Sequence, residues 1–160
     1  MTNENRHLPR ERADALVLKF TGVAIMTGAV PVPATSFAIV AENAAMVSAI
    51  AAAMGVPISV ETVAASLGTV GTINLVGRAV FVEAARAMGW FAGPLGVAGV
   101  SALGATTAGV QTWVLGRLAI AICENGGDPL PGPVANRVVR EAKGSFDGMR
   151  KRAVSTGHRN

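Results

Sequence analysis

AMGWFAGPLGVAGVSALGATTAGVQTWVLG, running from Ala87 to Gly116, contains no Asp, Glu, Lys, Arg or His. A membrane span needs roughly 20 predominantly apolar residues, and this run is longer. Glycine recurs through it at Gly89, Gly93, Gly96, Gly99, Gly104, Gly109 and Gly116. In a water-exposed helix each glycine costs roughly 1 kcal/mol relative to alanine. In an apolar helix the same residue lets a second helix come very close. Gly93, Gly96, Gly99, Gly104, Gly109 and Gly116 are therefore the expected helix-packing or interaction positions. The spacing of Gly99, Gly104 and Gly109 is five residues, so this is not a G-x-x-x-G motif. Thr106, Thr107, Gln111 and Thr112 can bond to a neighbouring helix or to their own backbone.

The composition agrees with that reading. Of the 160 residues, 51% are hydrophobic and 15% charged, against a usual charged share of about 25%. Alanine and glycine supply much of the apolar count. The formal charge of +4 comes mainly from the ends. Arg6, Arg10, Arg12 and Lys19 precede the apolar body, and seven basic residues from Arg137 to Arg159 follow it. Basic flanks around an apolar body predict an inner-membrane protein with both termini cytoplasmic, and hence an even number of spans. A nucleic-acid partner is not expected, because the basic residues are not interleaved with stacking aromatics. Cys123 stands alone, so no internal disulfide forms, and the expectation is a small core residue near a helix end.

Going along the chain, residues 1–12 read as a polar N-terminal tail, and residues 13–125 as the helical body. A first helix with Ala13, Leu16, Val17, Phe20 and Val23 on one stripe ends at Pro31-Val32-Pro33. This basic-then-apolar start mimics a signal peptide, but Glu4, Glu11 and Asp14 argue for a structural helix. A second helix over Ser36–Met54 carries Ile39, Met46, Ile50 and Met54 on one side and closes at Gly55. Ser59 starts a third, with Glu61 near its positive end. Glycines at 68, 71 and 77 divide this helix, and its second piece presents Ile73, Val76, Val80 and Ala84 on one face, with a Glu83–Arg86 pair. Trp90 and Phe91 then sit at a break, suited to a membrane–water boundary or to a helix junction. The long uncharged helix follows and stops at Asn125-Gly126-Gly127-Asp128-Pro129. Residues 126–143 read as a Pro/Gly linker with a short basic helix. Residues 144–160 read as a disordered basic tail, whose MRKR run suits either anionic lipid or plain solvation.

Chemistry is nearly absent. There is no G-x-x-x-x-G-K-[ST], G-x-S-x-G or H-E-x-x-H motif. No catalytic, cofactor or metal residue is assigned, and the expectation is a non-enzyme with no cofactor. Glu42, Arg78 and Arg117 are the intramembrane or buried charges. Glu42 is either a functional group in an apolar setting, a rim residue, or the partner of Arg78 or Arg117.

The order of these features resembles the YcjF-type family, the domain that accompanies small Era-like or dynamin-like GTPases in bacteria. The resembling residues are Pro31-Val32-Pro33 before an Ala-rich helix, Met46–Gly55 (MVSAIAAAMG), Gly93-Pro94-Leu95-Gly96, and Thr107–Arg117 ending in Leu115-Gly116-Arg117. The resemblance covers roughly residues 13–125 and implies a helical, membrane-associated partner module. Because this chain has no GTPase motif, any GTPase would be a separate protein.

The expected fold is therefore all-α, an Ala/Gly-rich helical bundle with a membrane-embedded helical hairpin. Its spans fall over Phe20–Val40 or Ser36–Met54, and over Trp90–Val110. The expected function is a membrane-associated helical scaffold or accessory protein. Its expected partners are membrane lipid, a separate GTPase, or copies of itself as a homo-oligomer. The alternative is a soluble, cytoplasmic helical bundle that binds a protein partner through an apolar groove. Pro31, Pro33, Glu42 and the moderate mean hydropathy of +0.45 favour that alternative. A third class, an enzyme or small-molecule carrier with its pocket among the glycine-lined helices, predicts convergent polar groups in a cavity, and a meeting of Glu42, Arg78 and Arg117 inside the bundle would favour it.

Overall fold

The computed structural model describes residues 4–30, 35–63, 65–66 and 93–157. Every regular element among them is α-helix, so the fold is all-α over the described residues. Helix α1 spans Glu4–Ala29, α2 Thr35–Met54, α3 Gly93–Glu124 and α4 Gly132–Gly157. Several expectations lie outside the described residues. These are the Pro31-Val32-Pro33 break, Arg78, the second piece of the third helix with its Ile73–Ala84 face, the Glu83–Arg86 pair, Trp90 and Phe91.

The helix ends follow from local chemistry. Gly55 takes φ 68°, a conformation that costs other residues strain. The N–H of Val56 then reaches back to the Ala51 carbonyl at 3.1 Å and closes α2. Gly127, at φ 94°, does the same for α3, its N–H bonding the Ile122 carbonyl at 2.9 Å. Ser59 caps the short helix that opens at residue 60, its Oγ accepting the Thr62 N–H at 3.3 Å. The Ser59 hydroxyl, followed by Glu61's own backbone N–H, holds the exposed Glu61 carboxyl below its ordinary range. Buried Ser66 then ties this segment to the α3–α4 connection, accepting the Leu130 N–H at 2.9 Å.

Helix α1 packs most extensively on α3 and also against α2, while α4 packs on α3. A Cβ on Gly116 would meet Val17, one on Gly109 would meet Ile25, and one on Gly28 would meet Gly104 and Ala108. These pairs make α1 and α3 antiparallel. Asn43 bonds Thr112, and Met46 abuts Gly116, so α2 and α3 run parallel. Phe146 abuts Gly109 while Val138 shares a cleft with Ile120 and Glu124, so α4 runs back antiparallel along α3.

The core is uneven along this bundle. At one end Val17, Met46, Ile50, Val63, Leu118, Ile120 and Ile122 form the main buried cluster. At the other end only Ala24, Ile39 and Ala108 make a small one. There the helix backbones themselves touch. This shifts the expected stripe on α1. Thr21 and Ala24 turn inward with Ala13 and Val17, and Val23 is left exposed. The reason is helical phase, since 13, 17, 21 and 24 recur three or four residues apart on the face toward α3 and position 23 falls off it.

Three further expectations are corrected. Helix α1 begins at Glu4, within the expected polar tail, and runs through Pro9. Helix α4 does not stop near Lys143 but continues to Gly157, because buried Phe146 anchors it on α3 past the expected end. Among the described residues no helix is long and apolar enough to cross a membrane. Phe20–Val40 is not one helix at all, since α1 ends at Ala29 and α2 begins at Thr35. Ser36–Met54 is interrupted by Glu42 and Asn43, and the glycines and threonines of α3 dilute its apolar character. The embedded hairpin of full spans finds no support.

Candidate functional site

Two places on the bundle differ from an ordinary surface. The first is a cleft of about 220 Å³ where the ends of α1, α3 and α4 meet, lined by Arg10, Arg117, Glu124, Val138, Glu141 and Ser145 among others. The register of α1 against α3 brings Asp14 to Arg117 and Arg10 to Glu124, and both pairs are ion pairs. Arg10 also reaches back one turn to Asp14 at 3.9 Å. Arg117 lies over the Trp113 ring, 5.9 Å from its centroid. The indole N–H of Trp113 donates to Ser145 Oγ at 3.0 Å, and that hydroxyl donates to the Ala142 carbonyl at 2.9 Å. Each arginine is thus answered by a carboxylate, and Ser145 is engaged in bonds to Trp113 and Ala142. The paired side chains are 31–45% exposed, so each pair contributes about 0–1 kcal/mol. This cleft fastens α1 and α4 to α3.

Glu42 and Arg117 do not meet. The Asn43–Thr112 bond sets Glu42 level with the turn before Thr112, about 8 Å along the axis from Arg117. Glu42 instead accepts a hydrogen bond from Thr27 Oγ1 at 2.9 Å. Its other carboxylate oxygen, like Thr21 Oγ1, is buried with no hydrogen-bond partner. The polar residues of α3 divide as their chemistry allows. Thr106 bonds its own helix at Ala102, and Thr112 bonds Asn43 on α2 at 2.8 Å. Among the described residues no group of three or more His, Cys, Asp or Glu stands where it could hold a metal ion.

Cys123 is buried in the main cluster, one position before the end of α3. Burial first, and then the negative charge of Glu124, push its thiol above the ordinary range. The thiolate is the reactive form, so alkylation of the native protein is expected to be slow near neutral pH. It should quicken only at more alkaline pH, or at once on unfolding. Iodoacetamide labelling followed by intact mass measures this, and rapid native labelling at pH 7 would contradict the burial.

The second place is the opposite end of the bundle, where Gly28 packs against Gly104 and Ala108. Gly104, Gly109 and Gly116 lie at the α1–α3 contact, and each is buried. Gly99 is exposed, and among the described residues nothing lies within 4 Å of its would-be Cβ. Gly93 and Gly96 lie in the first turns of α3. Sequence reasoning missed Gly28, whose would-be Cβ stands 2.6 Å from the Gly104 carbonyl oxygen. The available signal was an isolated glycine in an apolar helix, unremarked beside the denser run in α3.

At this end the usual order of sizes is inverted. Ala24, Gly28, Gly104 and Ala108 face inward, and of the large residues Ile39 of α2 is buried beside them. Met26 is 75% exposed, Val40 68% and Leu103 54%, and Val23 and Val30 are exposed beside them. No Asp, Glu, Lys or Arg occurs on α1 after Lys19 or on α3 before Arg117, and α2 offers only half-buried Glu42 before residue 54. Water selects the reverse arrangement, with large apolar residues inside. Small residues at helix contacts with large ones outward is the bilayer pattern.

No family model matches this chain, and no curated protein or solved structure matches it either. What the fold and the two places define, among the described residues, is a class: an all-α bundle with an ion-paired cleft and, across α1, α2 and α3, a charge-poor end that turns Met26, Val40 and Leu103 outward.

Proposed function

We infer that this protein is a non-enzymatic helical accessory or scaffold module that associates with a membrane through its uncharged end, without crossing it. One observation carries the reading: Ala24, Gly28, Gly104 and Ala108 inside and Val23, Met26, Val30, Val40 and Leu103 outside, where the described parts of α1, α2 and α3 carry no charge but Glu42. The exposed residues belong to three different helices. A flat protein partner covers one side of such an end, whereas a lipid surface covers every side that enters it. The rival reading, a protein partner in an apolar groove, is less well supported. The cleft between α1, α3 and α4 is rimmed by Arg10, Arg117, Glu124 and Glu141 and is not an apolar groove. Action with a separate GTPase extends the proposal on the YcjF-type resemblance, and self-assembly extends it on the small-residue helix faces.

Fractionation of the tagged chain tests this. The wild type is expected to sediment with membranes. The variant M26Q/V40Q/L103Q changes only exposed positions and uses a good helix former. It is expected to move to the supernatant with an unchanged helical circular dichroism spectrum. A wild type that never sediments, or a variant that sediments equally, overturns the reading and leaves the partner-binding bundle.

A further inference from the structure

We propose that the lipid surface is anionic, and that the C-terminal turns of α4 supply the charge that selects it. This rests on the membrane-associated reading above and names the lipid class.

The charge distribution is the first argument. Helix α4 carries Arg137, Arg140, Lys143, Arg150, Lys151 and Arg152 against Glu141 and Asp147. The rest of the chain holds eight basic and eight acidic residues. The whole net charge of +4 therefore resides on this one helix.

Register is the second. Glu141 and Ala142 share the cleft with Arg117 and Ile120, Ser145 bonds Trp113, and Phe146 abuts Gly109. Continuing antiparallel, residues 150–152 come level with about residues 104–108 of α3, since both helices rise about 1.5 Å per residue. Those α3 residues are the ones that Gly28 packs against. The densest basic run of the chain is thus level with Met26 and the inverted, apolar end.

That coincidence also sets a depth. Cations are costly at the centre of a bilayer. An end whose basic residues stand level with its exposed apolar ones suits the headgroup–acyl boundary, where apolar burial and attraction to anionic lipid act together. A polyphosphate such as RNA, or an acidic protein, would also attract α4. Neither would make use of Met26, Val40 and Leu103 on their separate faces.

Vesicle flotation of the full chain tests the proposal, with phosphatidylcholine alone and with phosphatidylcholine mixed with phosphatidylglycerol. Flotation is expected mainly with the mixture and should weaken as salt rises. R150Q/K151Q/R152Q is expected to weaken partitioning by about two orders of magnitude. R137Q/R140Q/K143Q removes the same charge about 10–22 Å away along the helix, beyond the Debye length of about 8 Å in physiological salt. It is expected to weaken partitioning less than tenfold. Equal flotation with both vesicle types overturns the anionic inference and leaves the membrane reading standing. Equal losses from the two triple variants overturn the role of the α4 end in favour of bulk charge. No flotation with either vesicle removes the membrane reading itself. Binding of an RNA oligonucleotide that M26Q/V40Q/L103Q leaves intact, without vesicle flotation, assigns the basic helix to another partner and overturns the proposal.

Discussion

Gly28→Ala, the addition of one methyl group, is expected to be among the most damaging single changes in this protein. The new Cβ would stand 2.6 Å from the Gly104 carbonyl oxygen and 2.7 Å from the Ala108 Cβ. Both neighbours are rigid, one being backbone and the other a Cβ fixed to it. Relief requires α1 and α3 to move apart at the point where they have no large side chains to refill the gap. Overpacking of a tight core typically costs 1–3 kcal/mol and occasionally more, and this geometry places the change at about 3 kcal/mol. Gly22→Ala, six residues earlier on the same helix, is expected to have the opposite sign. Nothing lies within 4 Å of its would-be Cβ, so the gain in helix propensity, about 0.5–1 kcal/mol, is the main effect. Urea unfolding of the two variants measures the difference directly. A Gly28→Ala midpoint equal to wild type would mean that α1 and α3 are not in backbone contact.

That contrast marks what a single sequence discloses here. Helix chemistry was legible because it is local. Gly55 and the Asn125–Pro129 run end α2 and α3 where expected, since positive φ and proline act on their own few residues. The importance of Gly104, Gly109 and Gly116 was legible as a type of contact, but not as a set. Gly99 stands between Ala and Val just as Gly109 does, yet no described residue meets its would-be Cβ. Which glycine faces a helix depends on where the other helix crosses, and that information lies in Gly28 and Ala24, some eighty residues earlier. The ion pairs were hidden for the same reason. Arg117 is 103 positions from Asp14, and only the α1–α3 register joins them. The reading of Ala87–Gly116 as uncharged and close-packing fits its described part. Its length alone suggested a full span, which the helix, with its glycines and threonines, is not apolar enough to form. What the sequence obscured most was the inversion at the apolar end, because hydropathy counts Met26 and Ala24 as apolar without saying which of them faces out.

Phe146→Ala is expected to undock α4 while leaving α1, α2 and α3 together. Phe146 is 2% exposed and is among the largest fully buried side chains of the described residues. Its ring lies 6.4 Å from that of Trp113, tilted by 56°, a favourable aromatic arrangement. It also covers Gly109, which has no side chain of its own to fill the space its loss would open. Truncations of this kind cost about 3–5 kcal/mol. The loss falls on α4 because, among the described helices, α4 packs only on α3. Its remaining ties are Ala135 and Ala142, which are small, the partly buried Val134 and Val138, and the Trp113–Ser145 bond. The three-helix part keeps Val17, Met46, Ile50, Leu118 and Ile122, none of which touches the Phe146 site in the buried clusters. Hydrogen exchange should therefore rise throughout residues 136–157 and stay near wild type in α1 and α2. Uniform loss of protection in all four helices would instead make α4 an integral part of one cooperative unit. The same variant bears on the lipid proposal. Once α4 is released, its basic residues are no longer held level with Met26. Anionic vesicles should then bind the variant more weakly than wild type, although its charge and its apolar end are both unchanged.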